Sequence, residues 1–366
     1  MQPYFAETFG NPSSIHQNGQ NARAAVEDAR ESVARLIGAH ASEIVFTSGG
    51  TEADNLAVAG IVSPGDHIVT SAIEHHAVLH ACRHAASLGC ELTEVPVDGL
   101  GLVDPDSVRR VLRTNTRLIS VMLANNETGA LQPVEEIGKI AREAGVCFHT
   151  DAVQAAGKLQ LNAARIGCDL LSISGHKMHA PQGVGALYVR KGIMVRPLFR
   201  GGAHERSRRA GTENVPGIVG LGKAAALALA SFGSADEKLR ALRDRLELGL
   251  LNHVEDCKIN SGEAPRTPNT TNIQFEHLDG EAMVIALDLK GIAVSSGAAC
   301  TSGASESSHV LTAMGLTPAQ ARSTLRFSVG KQNTVEDIDL TIEAVTQTVA
   351  RLRELSPSYG RETVRG

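Results

Sequence analysis

Residues 134–154, VEEIGKIAREAGVCFHTDAVQ, contain the pattern that decides the fold. The first part, Val134–Ala144, fits a helix, and the apolar residues 146–149 that follow it fit a short buried strand. A polar residue, Asp151, comes soon after that strand. Because helices that alternate with short buried strands are typical of α/β proteins, this stretch predicts a mostly parallel sheet with helices on its faces.

The same alternation of helix and strand extends along most of the chain. Before the opening stretch, residues 17–38 place apolar side chains three and four positions apart, which predicts an amphipathic helix. Further strands are predicted at 43–46, 67–70, 91–95, 118–123, 169–173 and 185–189, and further helices at 51–60, 106–112 and 215–229. This regular order predicts one large α/β domain.

The rhythm of the sequence changes near residue 235. The elements predicted beyond it are a charged helix at 236–251, strands at 271–275, 292–294 and 323–328, and a closing amphipathic helix at 335–353. We therefore predict a large domain at residues 1–235 and a smaller α+β domain at residues 236–366.

Composition argues against several classes of function. The chain has 366 residues, of which 42% are hydrophobic and 20% charged, and it has no apolar run long enough to cross a bilayer. A net charge of −5, 3% aromatic residues and no tryptophan argue against a nucleic-acid-binding surface. The first residues lack the basic and apolar regions of a secretory signal, and no two of the six cysteines form a C-x-x-C pair. We therefore expect a cytoplasmic protein with neither a membrane nor a nucleic-acid partner.

Three polar motifs follow predicted strands. Residues 47–52, TSGGTE, form a glycine turn that opens a helix, where backbone N–H groups suit a phosphate, although a capped turn without a ligand fits equally well. Asp151 could pair with a pyridinium nitrogen or simply cap a helix. Lys177, flanked by Ser174 and His176, could bind an aldehyde cofactor through its amine or lie exposed in a loop.

Histidines follow another predicted strand. His75 could stack on a cofactor ring or move protons. The spacing of His76, His80 and His84 is that of one helix face, which would suit a metal. Because no carboxylate ligand or H-E-x-x-H pattern accompanies them, solvated helix histidines are the favoured interpretation.

Three further residues suggest a substrate site. Asn126 lies in residues 125–129, NNETG, at another strand end, where a plain polar turn is the alternative. Arg326 lies in a strand-like apolar run and needs a partner, either a substrate carboxylate or an internal ion pair. Cys300 lies in residues 295–308, made almost entirely of small residues, where an accessible thiol favours a functional role over an incidental one.

Together these motifs resemble those of cysteine desulfurases of the class V aminotransferase superfamily, in the group that supplies iron–sulfur cluster assembly. The resemblance runs from near residue 5 to about residue 350, and the family's usual N-terminal segment has no counterpart before it, so a shortened or miscalled start is expected. The motifs that carry it, in order, are residues 11–16 (NPSSIH), 47–52 (TSGGTE), 74–75 (EH), 125–129 (NNETG), 151–154 (DAVQ), 174–177 (SGHK), 209–212 (RAGT), 295–302 (SSGAACTS) and 326–328 (RFS).

The resemblance implies a fold-type I enzyme that uses pyridoxal 5′-phosphate. Lys177 would bind the cofactor, His75 would stack on its ring and move protons, and Cys300 would attack the substrate's sulfur. The residues implied to hold the cofactor are Gly50, Thr51, Asn126, Asp151, Gln154, Ser174, His176, Lys177 and Thr212, and those implied to bind the substrate carboxylate are Arg326 and Asn126.

The implied reaction removes sulfur from L-cysteine and leaves L-alanine and a persulfide on Cys300. The sulfur would pass to an iron–sulfur scaffold or another acceptor protein, for cluster or thio-cofactor biosynthesis. Thr212 would complete the phosphate site of a neighbouring subunit, which implies a homodimer. The resemblance implies no resident metal, although Cys300 could contact a nascent iron–sulfur cluster. The alternatives are a selenocysteine lyase, another class V aminotransferase, or an inactive sulfur-assembly subunit with the same fold.

Overall fold

The computed structural model describes residues 1–296 and 307–355. Their contacts divide the chain into two compact units. The large unit comprises residues 1–96, 103–124 and 132–232, and the small unit comprises residues 97–102, 125–131 and the described residues from Gly233 onward. Two short segments from the first half of the chain therefore belong to the small unit.

A seven-stranded sheet forms the centre of the large unit. Its strands are β1 Ile44–Thr47, β2 His67–Ser71, β3 Glu91–Val95, β4 Thr116–Ser120, β5 Cys147–Asp151, β6 Leu170–Ser174 and β7 Gly185–Val189. They lie in the order β1-β7-β6-β5-β4-β2-β3. The pairings from β3 through to β6 are parallel, whereas β7 runs antiparallel to both β6 and β1. The predicted α/β fold with a mostly parallel sheet is confirmed.

Helices flank this sheet. They are α1 Pro3–Ala6, α2 Gln17–Leu36, α3 Gly50–Ala59, α4 His76–Ser87, α5 Pro105–Val111, α6 Val134–Ala144, α7 Ala163–Ile166, α8 His204–Ser207 and α9 Val215–Ser231, with short 3-10 turns at Ala41–Glu43 and Gly175–Met178. Helix α6 ends at Gly145, whose φ of 67° lies in the left-handed region that favours glycine. Every residue of β2, β6 and β7 is buried, which is why these strands read as apolar runs in the sequence.

The small unit contains a four-stranded antiparallel sheet. Its elements are α10 Ser234–His253, β8 Cys257–Asn260, β9 Thr270–Phe275, α11 Gly280–Asp288, β10 Ser295–Ser296, α12 His309–Ala313, α13 Pro318–Arg322, β11 Thr324–Ser328 and α14 Val335–Leu355. The strands lie in the order β10-β11-β9-β8, and Leu246, Phe275 and Leu325 are among the side chains of the core beneath them. The strand predicted at 292–294 is wrong, because the residues that pair with β11 are Ser295 and Ser296.

No single helix in the described part of the chain is long and apolar enough to span a bilayer. Helices α9 and α10, which are bent relative to each other, together have the length and composition of a span, by those two criteria only.

Candidate active site

Polar residues meet at one edge of the large sheet. Asp151 is the last residue of β5 and Ser174 is the last residue of β6, and these two strands are parallel neighbours. Gly185 at the start of β7 pairs with Ser174 on one side and with Thr47, the last residue of β1, on the other. The ends of β1, β5 and β6 therefore lie at the same edge, which is where ligands of open α/β sheets bind.

The glycine turn after β1 packs tightly against this edge. A Cβ atom at Gly50 would lie 2.8 Å from Val153 Cγ2 and 3.4 Å from the Cβ of Ser174, and one at Gly185 would lie 2.7 Å from the backbone of Gly49. Because these glycines have no side chains, the first residue of α3 lies beside Ser174 and beside the turn that follows Asp151. The N–H groups at the start of α3 and the positive end of its dipole suit a phosphate group.

A carboxylate in the first turn of α3 is compensated. Glu52 accepts hydrogen bonds from the backbone N of Ser48 at 2.8 Å and from Arg209 Nε at 2.9 Å. Burial disfavours the ionised carboxylate, but the bonds from Arg209 and Ser48 outweigh this and lower the pKa of Glu52. Arg209 therefore offsets the negative charge that Glu52 would otherwise bring to a phosphate site. The exposed Thr212 follows on the same segment.

Asp151 is a buried carboxylate with little to stabilise its charge. It is 4% exposed, and its Oδ1 accepts a hydrogen bond from the backbone N of Val153 at 2.8 Å. Burial raises the pKa of Asp151 to about 6, and the charge of Lys177 acts in the opposite direction. A protonated ring nitrogen is the kind of cation that would keep this carboxylate ionised.

Lys177 lies in the 3-10 turn directly after β6 and is exposed. Beside it, the Nδ1 of His176 lies 3.0 Å from the Oγ of Ser174, and burial together with the charge of Lys177 lowers the pKa of His176. Gln154, half-buried, accepts a hydrogen bond from Lys158 Nζ at 3.0 Å through its Oε1. Ser174, His176 and Lys177 at the end of β6 and Asp151 at the end of β5 thus lie at the ends of two adjacent strands.

A fully buried polar group lies on β5, two residues before Asp151. The sequence interpretation gave it no role. His149 Nδ1 lies 2.8 Å from Ser120 Oγ, its Nε2 lies 2.9 Å from Ser172 Oγ, and Asp54 Oδ1 lies 3.7 Å from that Nε2. Burial lowers the pKa of His149 to about 3, while burial and then the charge of Asp151 raise the pKa of Asp54 well above its ordinary value. Because burial disfavours the charged form of both groups, it weakens any ion pair between them. The sequence signals for them were polar residues among apolar neighbours, His149 in strand β5 and Asp54 in helix α3.

His75 is fixed where β2 leads into α4. It is the N-cap of α4, and its Nδ1 accepts a hydrogen bond from the backbone N of Ala77 at 3.1 Å. A neutral His75 therefore carries its proton on Nε2. Glu74 is 0% exposed and accepts bonds from Ser71 Oγ at 2.5 Å and from the backbone N of Met122 at 2.8 Å, while burial raises its pKa to about 8.

The histidine row of α4 was a candidate metal site. The rings of His76 and His80 have centroids 5.0 Å apart and are tilted. No group of three or more His, Cys, Asp or Glu residues within 1–296 and 307–355 forms a cluster that could hold a metal ion.

The small unit contains the predicted carboxylate-binding pair. Arg326 on β11 donates from Nη1 to the backbone O of Asn126 at 2.9 Å and from Nη2 to Ser295 Oγ at 3.1 Å. The Nε of Arg326 and the Oδ1 of Asn126 are buried and have no hydrogen-bond partner among the described residues. Buried polar groups in folded proteins are normally satisfied, so this arrangement fits a polar ligand.

Cys300 lies outside the described residues, with the segment around it. Of the other cysteines, Cys82, Cys90 and Cys168 are buried, and burial raises the pKa of each of these thiols. Such thiols are poor nucleophiles, because the thiolate is the reactive form. The roles of all these site residues stay predictions.

The family model described as aminotransferase class-V matches residues 1–341. The chain belongs to this family. A curated relative, "Cysteine desulfurase IscS" of Methanosarcina thermophila, is 49% identical over 366 residues, which cover 99% of this chain and 90% of that protein.

Solved structures also match this chain. One titled "NIFS-LIKE PROTEIN" has a TM-score of 0.88 and 36% identity, and the match covers 96% of this chain and 94% of that chain. Another, "SspA in complex with cysteine", has a TM-score of 0.80 and 36% identity, and the match covers 91% of this chain and 94% of that chain.

Class V aminotransferases depend on pyridoxal 5′-phosphate, and the large unit fits that group. The glycine-lined start of α3 suits its phosphate, and the buried Asp151 suits its ring nitrogen. Lys177, directly after the neighbouring strand, supplies an amine for its aldehyde.

Proposed function

We propose that this protein is a cysteine desulfurase, which removes sulfur from L-cysteine and passes it to an acceptor protein. The observation that carries the proposal is the meeting of three features at one sheet edge of the large unit: the phosphate-type turn at Gly50, the buried Asp151, and Lys177. These features fit pyridoxal phosphate chemistry on an amino acid. The small unit adds Arg326 and Asn126, which suit the carboxylate of such a substrate.

Bound pyridoxal phosphate supplies an electron sink for bond cleavage next to the amino-bearing carbon of the substrate. Asp151 would keep the ring nitrogen protonated, since a buried carboxylate is stabilised by a cation. Lys177 Nζ would hold the cofactor and would take the α-proton of the substrate. The Nδ1 of His75 accepts a hydrogen bond from the backbone N of Ala77, so the proton that the neutral ring would hold or release is on Nε2.

Sulfur leaves the substrate by transfer to the thiolate of Cys300. The carbon–sulfur bond of L-cysteine breaks and a sulfur–sulfur bond forms on Cys300. The proton released from the Cys300 thiol and the α-proton held by Lys177 end on Cβ and Cα of L-alanine, and the proton of the substrate thiol stays on the persulfide. L-cysteine and one thiol thus give L-alanine and one persulfide, without an external oxidant or reductant.

We also propose a cytoplasmic homodimer that delivers sulfur to an iron–sulfur scaffold or a similar acceptor. The resemblance of residues 209–212 to the family's shared-site motif supports the dimer, with Thr212 serving the partner subunit's phosphate site. The exposure of Thr212 supports this assignment.

The test is the visible absorption spectrum of the purified protein before and after L-cysteine is added, together with assays of alanine and sulfide. We expect the yellow absorbance of bound cofactor, a spectral change with L-cysteine, and formation of alanine. The control variant, Cys300→Ala, should keep the absorbance and lose sulfide release. A colourless protein that cannot be reconstituted with pyridoxal phosphate would refute the proposal, and unchanged desulfuration in Cys300→Ala would refute the persulfide step.

A further inference from the structure

A second ionisable group, Glu127, lies beside the proposed carboxylate-binding pair. Glu127 follows Asn126 in the chain, is 9% exposed, and accepts a hydrogen bond from Ser308 Oγ at 2.5 Å. Ser308 is the N-cap of α12 and also accepts a bond from the backbone N of Leu311. The carboxylate of Glu127 is therefore held in place by a residue 181 positions away in the sequence.

The turn that carries Asn126 and Glu127 is anchored on its far side. The backbone N of Thr267 donates to the O of Gly129 at 2.9 Å, and that of Leu131 donates to the O of Pro265 at 2.8 Å. These bonds fix the turn next to β11, where Arg326 donates to the O of Asn126. Arg326 thus contacts the residue that precedes Glu127, and both belong to the small unit.

The charges around Glu127 determine its protonation. Burial raises its pKa to about 7, whereas the bond from Ser308 and the charge of Arg326 act to lower it. Other titratable groups lie on the segments that contact the turn and Ser308: His309 follows Ser308 on α12, Arg266 is paired with Glu247 at 2.5 Å, and Arg243 donates to the O of Thr267. Arg326 is the cation whose charge acts on the pKa of Glu127.

A substrate carboxylate at Arg326 would compete for this cation. The Nε of Arg326 is buried without a partner among the described residues, so it is available to such a carboxylate. The incoming negative charge would cancel much of the field that keeps Glu127 ionised, and two carboxylates close to one guanidinium favour protonation of one of them. Burial makes Glu127 the group that accepts the proton.

We propose that Glu127 takes up one proton from solvent when a carboxylate ligand binds at Arg326, which makes substrate recognition by this protein dependent on pH. The proposal rests on the proposed function, because it takes the ligand of Arg326 to be an amino acid carboxylate. The step is an acid–base equilibrium only: the carboxylate of Glu127 becomes a carboxylic acid, and the proton comes from buffer. Glu127 would thus set the pH dependence of ligand binding, and Ser308 would be a positioning residue that sets the acidity of Glu127.

The experiment measures binding of L-alanine, which has the carboxylate and amine of the substrate but no sulfur to transfer. The holoenzyme is titrated with L-alanine between pH 6 and pH 8, and the change in cofactor absorbance gives the dissociation constant. The same titration is run on Glu127→Gln, so that proton equilibria of the ligand and the cofactor, common to both proteins, cancel in the ratio. The control is Glu281→Gln, which removes an exposed carboxylate of the small unit.

We expect the dissociation constant of the wild type to rise about tenfold more between pH 6 and pH 8 than that of Glu127→Gln, because this range spans the titration of one group with a pKa near 7. Glu281→Gln should follow the wild type. Ser308→Ala, which removes a bond that favours the ionised carboxylate, should move the pH at which affinity declines to a higher value. Calorimetry at pH 7 in buffers of different ionisation enthalpy should show uptake of about half a proton per site in the wild type and none in Glu127→Gln.

Equal pH dependence in the wild type and Glu127→Gln would overturn the proposal, as would equal proton uptake. If Glu127→Gln does not fold, the Ser308→Ala shift decides, and an unshifted profile overturns the proposal. Failure of the proposed function is a different result: the wild type would then show no cofactor absorbance, or no response to L-alanine or L-cysteine at any pH. If the wild type turns over L-cysteine normally but its pH dependence equals that of Glu127→Gln, the proposed function stands and only the proposed role of Glu127 fails.

Discussion

Removing one partner of the buried ion pair between Arg30 and Glu205 should be among the more destabilising single substitutions in the large unit. Arg30 donates from Nη1 and Nη2 to the two carboxylate oxygens of Glu205 at 2.7 and 2.8 Å, and the two side chains are 5% and 3% exposed. Glu205 also accepts from the backbone N of Phe46 at 2.9 Å, and the guanidinium of Arg30 lies 4.7 Å from the centroid of the Phe46 ring. The perturbation is Glu205→Gln, which preserves the shape and removes the charge.

The expected loss follows from what the variant leaves behind. Arg30 would remain buried without its bidentate partner, and breaking a buried pair in this way costs about 3–5 kcal/mol. Glu27 still contacts Arg30 at 3.2 Å and compensates in part, so we expect about 3 kcal/mol. At about 2–4 °C per kcal/mol for a unit of this size, the melting temperature should fall by about 6–12 °C.

The assay is thermal unfolding of the cofactor-free protein, followed by circular dichroism, with Glu27→Gln as the matched control. Glu27 contacts the same guanidinium, but its side chain is 47% exposed, so its removal should cost less than about 1 kcal/mol. A melting temperature for Glu205→Gln within about 2 °C of that of Glu27→Gln would refute the reasoning, because burial would then not be what makes the pair important.

Three further predictions concern the site. Gly50→Ala places a Cβ atom 2.8 Å from Val153, so we expect at least tenfold weaker binding of pyridoxal phosphate by fluorescence titration, and unchanged affinity would contradict the tight packing of the turn. Arg326→Lys should raise the KM for L-cysteine at least tenfold with the cofactor spectrum unchanged, since lysine cannot bind a carboxylate through two parallel N–H groups; a normal KM would count against the assigned role. Glu74 has a folded-state pKa of about 8, raised above the ordinary carboxyl value, so its contribution to stability is complete below about pH 4.5 and is lost as pH rises toward 8. The melting temperature of the wild type should therefore fall more steeply from pH 5 to pH 8 than that of Glu74→Gln, and parallel profiles would rule this out.

Local pattern was sufficient to predict most elements of the large unit. Helix α6 at Val134–Ala144 and strand β7 at Gly185–Val189 begin and end where the sequence predicts them. The reason is that the apolar face of a helix and the apolar run of a buried strand both depend on the spacing of residues within a short stretch of chain. The strand predicted at 118–123 starts two residues too late and extends too far, since the residues after Ser120 are apolar and buried but pair with no neighbour as a regular strand. Strand β10 was missed because two serines carry no strand pattern; pairing with β11 alone defines it.

The sequence likewise indicated some properties of the candidate site and not others. Polar motifs after apolar runs pointed to Asp151, Ser174 and Lys177 one by one, and in the structure the parallel strands β5 and β6 bring their carboxyl ends to one edge. Their charges could not be predicted in this way. A pKa of about 6 for Asp151 depends on burial by segments far apart in the chain, and so does the proposed role of Glu127, whose partner Ser308 is 181 residues away.

The sequence by itself determined the order of helices and strands and the residue types at the strand ends, because both depend on near neighbours in the chain. The tertiary structure decided which polar groups are buried, and therefore which are ionised. Burial in the fold shifts the pKa values of Asp54 and His149. The fold also pairs Arg30 with Glu205, 175 residues away in the sequence. It leaves buried atoms of Arg326 and Asn126 without a hydrogen-bond partner among the described residues. Desolvation is a property of the packed fold, and no short stretch of sequence records it.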